Sequence, residues 1–126
     1  MGRVLIVEDN AMNRDVVDRW LRRRGYHTVL AGTAEEGLEL AQTHQPDVIL
    51  MDVDLPGMDG WEATRRLKAD DALGDVPVVA LTAYALSEHE ATAREVGCVG
   101  FEPKPLDLDR LVDRLGALGI RPAGAA

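Results

Sequence analysis

Six residues carry side chains that could act together on one anionic ligand: Glu8, Asp9, Asp52, Asp54, Thr82 and Lys104. Each stands at or just beyond the end of a short apolar run. Carboxylates gathered in one crevice repel each other, and their pKa values rise unless a cation neutralises them. Every candidate ligand is a hard oxygen, with no His or Cys among them, so the chemistry favours Mg²⁺, with Mn²⁺ as second choice, over zinc. Such an ion attracts phosphoryl oxygens and offsets the charge that builds up when a carboxylate attacks phosphorus. Lys104 could pair with a phosphoryl oxygen as a point charge, and the Thr82 hydroxyl could donate to another. Ala83 leaves the approach to Asp52 open. The reaction these groups suit is formation of an aspartyl phosphate, with Asp52 as nucleophile.

These residues act together only if the chain brings them to one place. Asp47 to Gly60, DVILMDVDLPGMDG, is the densest stretch: four apolar residues run into Asp52, then Asp54, then the turn residues Pro56, Gly57, Asp59 and Gly60. A short unbroken apolar run between turn signals reads as a strand buried on both faces. Similar runs at Arg3–Val7, Val76–Leu81 and Val99–Glu102 read as strands, and Tyr26–Ala31, which is more polar, as an edge strand. Helices are expected between them. Ala11–Arg24 carries Met12, Val16, Val17, Trp20 and Leu21 on one face, and Gly25 stops it. A helix from Thr33 to about Gln45 opens on the capping box Thr33/Glu36 and packs through Leu38, Leu40 and Ala41. Trp61–Asp70 packs through Ala63, Thr64 and Leu67. A fourth helix, opening on a box of Ser87 and Glu90, runs to Val96, is faced mainly by alanine and ends at Gly97. Asp107 caps a last helix with Leu108, Leu111, Val112, Leu115 and Leu118 on one side.

Five alternations of strand and helix call for an α/β fold, a parallel sheet covered on both faces. Ligands of such sheets lie at the carboxyl ends of the strands, where the six residues stand. The chain of 126 residues suits one domain, residues 1–119, with a disordered tail at 120–126. A single cysteine, Cys98, excludes an internal disulfide, is expected to be a small buried side chain, and fits a reducing compartment. No membrane span or signal peptide is legible, so a cytoplasmic location is expected. A net charge of −8 argues against a nucleic-acid partner. Trp20 reads as core, Arg22–Arg24 as a solvated helix end, and His27, His44 and His89 as surface residues. For Trp61, packing and partner contact are equally open.

VLIVEDN at Val4–Asn10, DVILMDVDLPGMDG at Asp47–Gly60, PVVALTAYA at Pro77–Ala85 and GFEPKPLD at Gly100–Asp107 together resemble the receiver domains of response regulators in two-component signalling, in particular stand-alone receivers of the DivK type. The resemblance spans about residues 3–118. It implies a doubly wound (βα)5 three-layer sandwich of the flavodoxin-like, CheY-like kind, with strand order 2-1-3-4-5. It also implies Asp52 as phosphoacceptor, Asp9 as a direct Mg²⁺ ligand, Glu8 acting through water, and Asp54 lending its backbone carbonyl. Thr82 would be the switch hydroxyl, Lys104 the phosphate partner, and Lys104–Pro105 a cis peptide. Phe101 takes the place of the switch aromatic, often Tyr in the family. Asp54, Ala83 and Tyr84 are possible modulators of the phosphoryl lifetime. Implied partners are a sensor histidine kinase or histidine phosphotransfer protein, and a downstream protein bound to the face of the fourth helix, fifth strand and fifth helix. With no output domain legible, the chain would act by binding or by passing phosphate on, catalysing only its own phosphorylation and dephosphorylation.

Two other readings share features. The Asp52-x-Asp54 pair after an apolar strand mimics the nucleophile motif of haloacid-dehalogenase-type phosphohydrolases, but that motif normally lies on the first strand of a longer chain. A flavodoxin-like flavin binder shares the topology, yet Glu8-Asp9-Asn10 would repel phosphate where its phosphate loop should be.

Overall fold

The computed structural model describes residues 2–83 and 87–122, with side chains at 87 and 88 left aside. Five strands alternate with five helices: β1 (Arg3–Val7), α1 (Ala11–Arg23), β2 (His27–Ala31), α2 (Ala34–His44), β3 (Val48–Asp52), α3 (Gly60–Ala69), β4 (Val78–Thr82), α4 (Ser87–Val96), β5 (Gly100–Pro103) and α5 (Leu108–Ala117). The sheet is parallel throughout, ordered β2-β1-β3-β4-β5, as the resemblance implies. β3 and β4 are buried along their whole length, which unbroken apolar runs require when helices cover both faces. β2 is an edge strand and only half-buried.

One core layer joins alternate strand residues such as Leu5, Ile49, Met51 and Ala80 to α2, α3 and α4. The other joins Val4, Ile6, Leu50, Val79 and Leu81 to α1 and α5 through Val17, Leu21, Leu111 and Leu115. Thr33 caps α2 by accepting from the Glu36 amide, while Glu36 reaches back to the Gly32 amide, one residue earlier than the usual reciprocal bond. The buried face of α2 is Ala34, Gly37 and Ala41, with Leu38 and Leu40 only partly covered. A Cβ on Gly37 would come within 2.8 Å of a Val7 methyl, so glycine lets α2 approach β1. The box of Ser87 and Glu90 lies outside the described side chains.

Three expectations need correction. Met12 and Val16, assigned to the core face of α1, are 79% and 54% exposed, and the helix packs through Val17 and Leu21 instead. Trp20 is half-buried with the Arg24 guanidinium 3.8 Å over its ring, so Arg24 is not simply a solvated helix end. Packing also reaches past residue 119: Ile120 is buried in the α1/α5 layer, and its carbonyl accepts from the Tyr26 hydroxyl at 3.2 Å. His27 and His44 are exposed, whereas the His89 ring lies 6.2 Å from that of Trp61, which itself packs against the core.

Cys98 is buried as expected, and burial pushes its thiol up to about 11. The thiolate is the reactive form. Native protein at pH 8 should therefore react with iodoacetamide at least ~10²-fold more slowly than the urea-unfolded chain, whose thiol has an ordinary pKa. Equal rates, followed by mass spectrometry, would show that the site opens readily.

Candidate functional site

The carboxyl ends of β1, β3, β4 and β5 meet at one edge of the sheet, and the six residues stand there. Parallel pairing in register puts Val7 beside Met51, Asp52 beside Leu81, and Thr82 beside Pro103. Asp52 ends β3, with its side chain almost fully buried at the rim. Its Oδ1 accepts from the Asp54 amide at 3.1 Å, because the chain turns sharply at Val53. The bend is closed by Gly60, whose amide donates to the Val53 carbonyl at 3.1 Å.

Glu8 follows β1 and is buried too. Its Oε2 accepts from the Asn10 amide at 3.1 Å, and its carbonyl accepts from Arg14 Nη1 at 2.9 Å. Asn10 caps α1 by accepting from the Asn13 amide, so the turn carrying Glu8 and Asp9 is tied to the start of the helix. Oxygens of Glu8, Asp9 and Asp52 lie within 4.8 Å of one another. Asp9 and Asp54 are exposed, and Ala83 is exposed beside the site. Tyr84 lies outside the described residues.

Lys104 Nζ lies 2.8 Å from Glu8 Oε1 and 3.1 Å from Asp52 Oδ2. The peptide after it, Lys104–Pro105, is cis. Pro103, which has no amide hydrogen, closes β5 opposite Thr82; the next amide, that of Lys104, donates instead to the Thr82 carbonyl at 2.7 Å. The proline thus shifts the last ladder bond by one residue and ties the lysine backbone to the threonine. Thr82 is fully buried, and Phe101 is partly buried against the core.

The electrostatics follow from burial. Glu8 is pushed up to about 7, mainly by burial and then by its contact with Asp52, against the opposing pull of Lys104 and the Asn10 amide. For Lys104, burial lowers the pKa, but the two carboxylates outweigh it and hold the ammonium above its ordinary value. One lysine thus faces two buried acids, with a third at the rim, and the excess negative charge is what a divalent cation would neutralise.

Sequence reasoning missed several residues here. Arg14 and Asn10 brace the β1 turn, and only Asn10 had a local signal, an Asn just before an apolar-periodic segment. A buried carboxylate, Glu102, faces away from the site and pairs with Arg114 and with Arg110, the latter at 3.3 Å. Nothing in the strand pattern announced it.

A doubly wound parallel sheet with an acidic cluster and a lysine at its carboxyl edge defines the class of domain. The family model for the response regulator receiver domain matches residues 4–116, and the chain belongs to that family. It is 39% identical over 112 residues to the polar-differentiation response regulator DivK of Brucella anthropi, covering 89% of this chain and 91% of that protein. Among solved structures it is similar to the chemotaxis response regulator CheY4 of Vibrio cholerae, with TM-score 0.88 and 30% identity over 94% of this chain and 98% of that one. It is also similar to the receiver domain of the sensor histidine kinase PA1611 of Pseudomonas aeruginosa, which has a magnesium ion coordinated in its active-site cleft. There the TM-score is 0.86 and the identity 34%, over 94% and 99% of the two chains. The chain is therefore a response regulator receiver domain of two-component signalling, a signalling protein, with an acidic cluster compatible with Mg²⁺. The phosphohydrolase alternative finds no support: Asp52 ends the third strand, and the family match runs through almost the whole chain. Among the described residues, no helix is long and apolar enough to cross a membrane.

Proposed function

We propose that the chain accepts a phosphoryl group on Asp52 from a phosphohistidine of a sensor kinase or phosphotransfer protein, and that the phosphorylated form acts by binding a partner or passing the group on. The observation that carries this reading is the position of Lys104 Nζ between Glu8 and Asp52, with Asp9 beside them. A carboxylate oxygen of Asp52 forms the new P–O bond as the P–N bond of the donor breaks, and the released imidazole takes a proton from solvent. Asp9 and Asp52, with the Asp54 carbonyl and with Glu8 through water, would hold Mg²⁺, which when bound would neutralise charge on the transferring group. Lys104 then exchanges a carboxylate partner for a phosphoryl oxygen. The new group brings roughly −1.5 to −2 charges and three acceptor oxygens. Thr82 turns its hydroxyl toward one of them, and Phe101 moves into the space released. A 210 Å³ cleft lined by Val16, Val17, Lys104, Pro105, Leu106 and Leu108 opens beside Glu8, and exposed Val16 gives it an apolar wall suited to a donor helix. The downstream partner would use the face of α4, β5 and α5.

The test is loading. With acetyl phosphate and Mg²⁺ the intact chain should gain the mass of one phosphoryl group, and chelating the Mg²⁺ beforehand should prevent the gain. Steady release of phosphate from a small ester, without such a covalent species, would instead favour a hydrolase.

The raised Glu8 makes a second expectation. A carboxyl proton must leave before the site can hold a cation, so Mg²⁺ affinity should rise with pH through about 7. Between pH 6 and pH 8 the dissociation constant should fall roughly tenfold, as read by titration of Trp fluorescence or by calorimetry. Glu8→Gln should flatten that dependence.

A further inference from the structure

A second charged cluster joins β5 to α5 and shares no partner with Lys104. Glu102 is 1% exposed, and it is held by Arg114 and by Arg110, which stand one turn apart on α5. Arg114 Nη2 also reaches toward the Phe101 carbonyl at 3.5 Å, and its guanidinium lies against Gly100, where a Cβ would collide with Nη1. The guanidinium plane is thus fixed from two sides. A guanidinium has five N–H donors in a rigid fork, and one carboxylate uses only part of them.

These arginines form one wall of a cavity of about 430 Å³ between α4 and α5, across the outer edge of β5. Arg94 of α4 forms the opposite wall, paired one turn back with Glu90 in an exposed contact, and such pairs are weakly held. β5 is the terminal strand of the sheet, so its outer backbone groups face this cavity. Val99 at its entrance is 48% exposed. Three guanidiniums from two helices therefore converge on a strand edge in a chain whose net charge is −8, so the positive field is local to this groove. Buried Glu102 sets the positions of two of them in advance, which lowers the ordering cost of binding.

We infer that this groove receives an acidic, extended segment of a partner protein, whose side-chain carboxylates pair with Arg94 and Arg114 while its backbone lies along β5. The inference rests on the proposed use of the α4, β5 and α5 face for output, and it adds the chemistry of the partner. Because β5 also carries Phe101 and leads into Lys104, a segment seated here would touch the strand that responds to the phosphoryl group.

The test uses the full chain, free and beryllofluoride-loaded, with a fluorescent peptide of alternating Glu and Val as probe and its Lys-for-Glu counterpart as control. The acidic peptide should bind with anisotropy change, and its amide shifts should cluster at Val99, Gly100 and Phe101; the Lys peptide should not bind. Arg94→Gln should weaken binding at least fivefold, and Arg94→Lys should restore part of it. Arg94 is exposed, so these variants will fold; Arg114→Gln, which leaves buried Glu102 with Arg110 alone, is a second arm read only alongside its melting curve. Arg19→Gln/Arg23→Gln, at the far end of α1, should leave binding unchanged. Unaltered binding in Arg94→Gln, equal weakening by the α1 pair, or no binding of the acidic peptide in either state would overturn the inference. Loading at Asp52 is measured in the same samples, so failure of phosphoryl acceptance is seen separately from failure of the groove.

Discussion

Asp52→Asn should abolish covalent labelling by acetyl phosphate while leaving the protein folded. The amide oxygen is a poor nucleophile, and losing a covalent nucleophile costs at least ~10³-fold in rate. The alternatives for attack are near: Asp9 lies within the same acidic cluster, and Asp54 is two residues away and exposed. Neither is placed as Asp52 is, with one oxygen held by a backbone amide and the other by Lys104. Stability should not fall with activity. Asp52 helps push Glu8 up, so removing its charge relieves repulsion, while Lys104 keeps Glu8 as a partner. Intact-mass measurement with a parallel melting curve decides the matter: labelling of the variant at the wild-type rate would move the phosphoacceptor elsewhere.

The architecture was legible because parallel strands buried on both faces leave unbroken apolar runs, and helix starts leave Thr33 and Asp107 before periodic segments. The site was legible for the same reason: acids and a lysine at strand ends must share one edge once the sheet is parallel. What stayed hidden depends on which side of an amphipathic surface meets the core. Met12 and Val16 have helical spacing, yet they face solvent; periodicity reports apolar surface and not what covers it. Asp18 and Glu102 are charged yet buried, because each finds its partner in another element, Thr28 on β2 and Arg110 and Arg114 on α5. Such pairings join residues distant in sequence and have no local signature. Pro103 needed the register of β5 before its effect could be stated, since only then is Lys104 seen to supply the missing donor.

Gly60→Ala should be the most damaging single-methyl change in the chain. Gly60 begins α3 and is capped by Asp59, whose side chain accepts from the Glu62 amide at 2.9 Å. Its conformation is open to any residue in principle, but the space is not: a Cβ there would fall well inside contact with the Asp52 carbonyl oxygen and within 2.9 Å of Val53 Cα. Both neighbours are backbone, at the end of a strand buried between layers, so neither can swing away as a side chain could. Relief requires α3 to shift from β3, loosening Ala63, Thr64 and Leu67 in the core. The cost should be about 3 kcal/mol, at the upper end for overpacking, and for a domain of this size that is a fall of roughly 10 °C in melting temperature. The same shift moves the backbone that carries Asp52, so labelling by acetyl phosphate at a temperature where the variant is folded should slow by more than its unfolded fraction explains. Gly116→Ala, where a Cβ meets nothing within 4 Å, is the matched control and should be neutral or slightly stabilising. If the two variants melted together, close packing of α3 against the phosphoacceptor strand would not be what Gly60 provides.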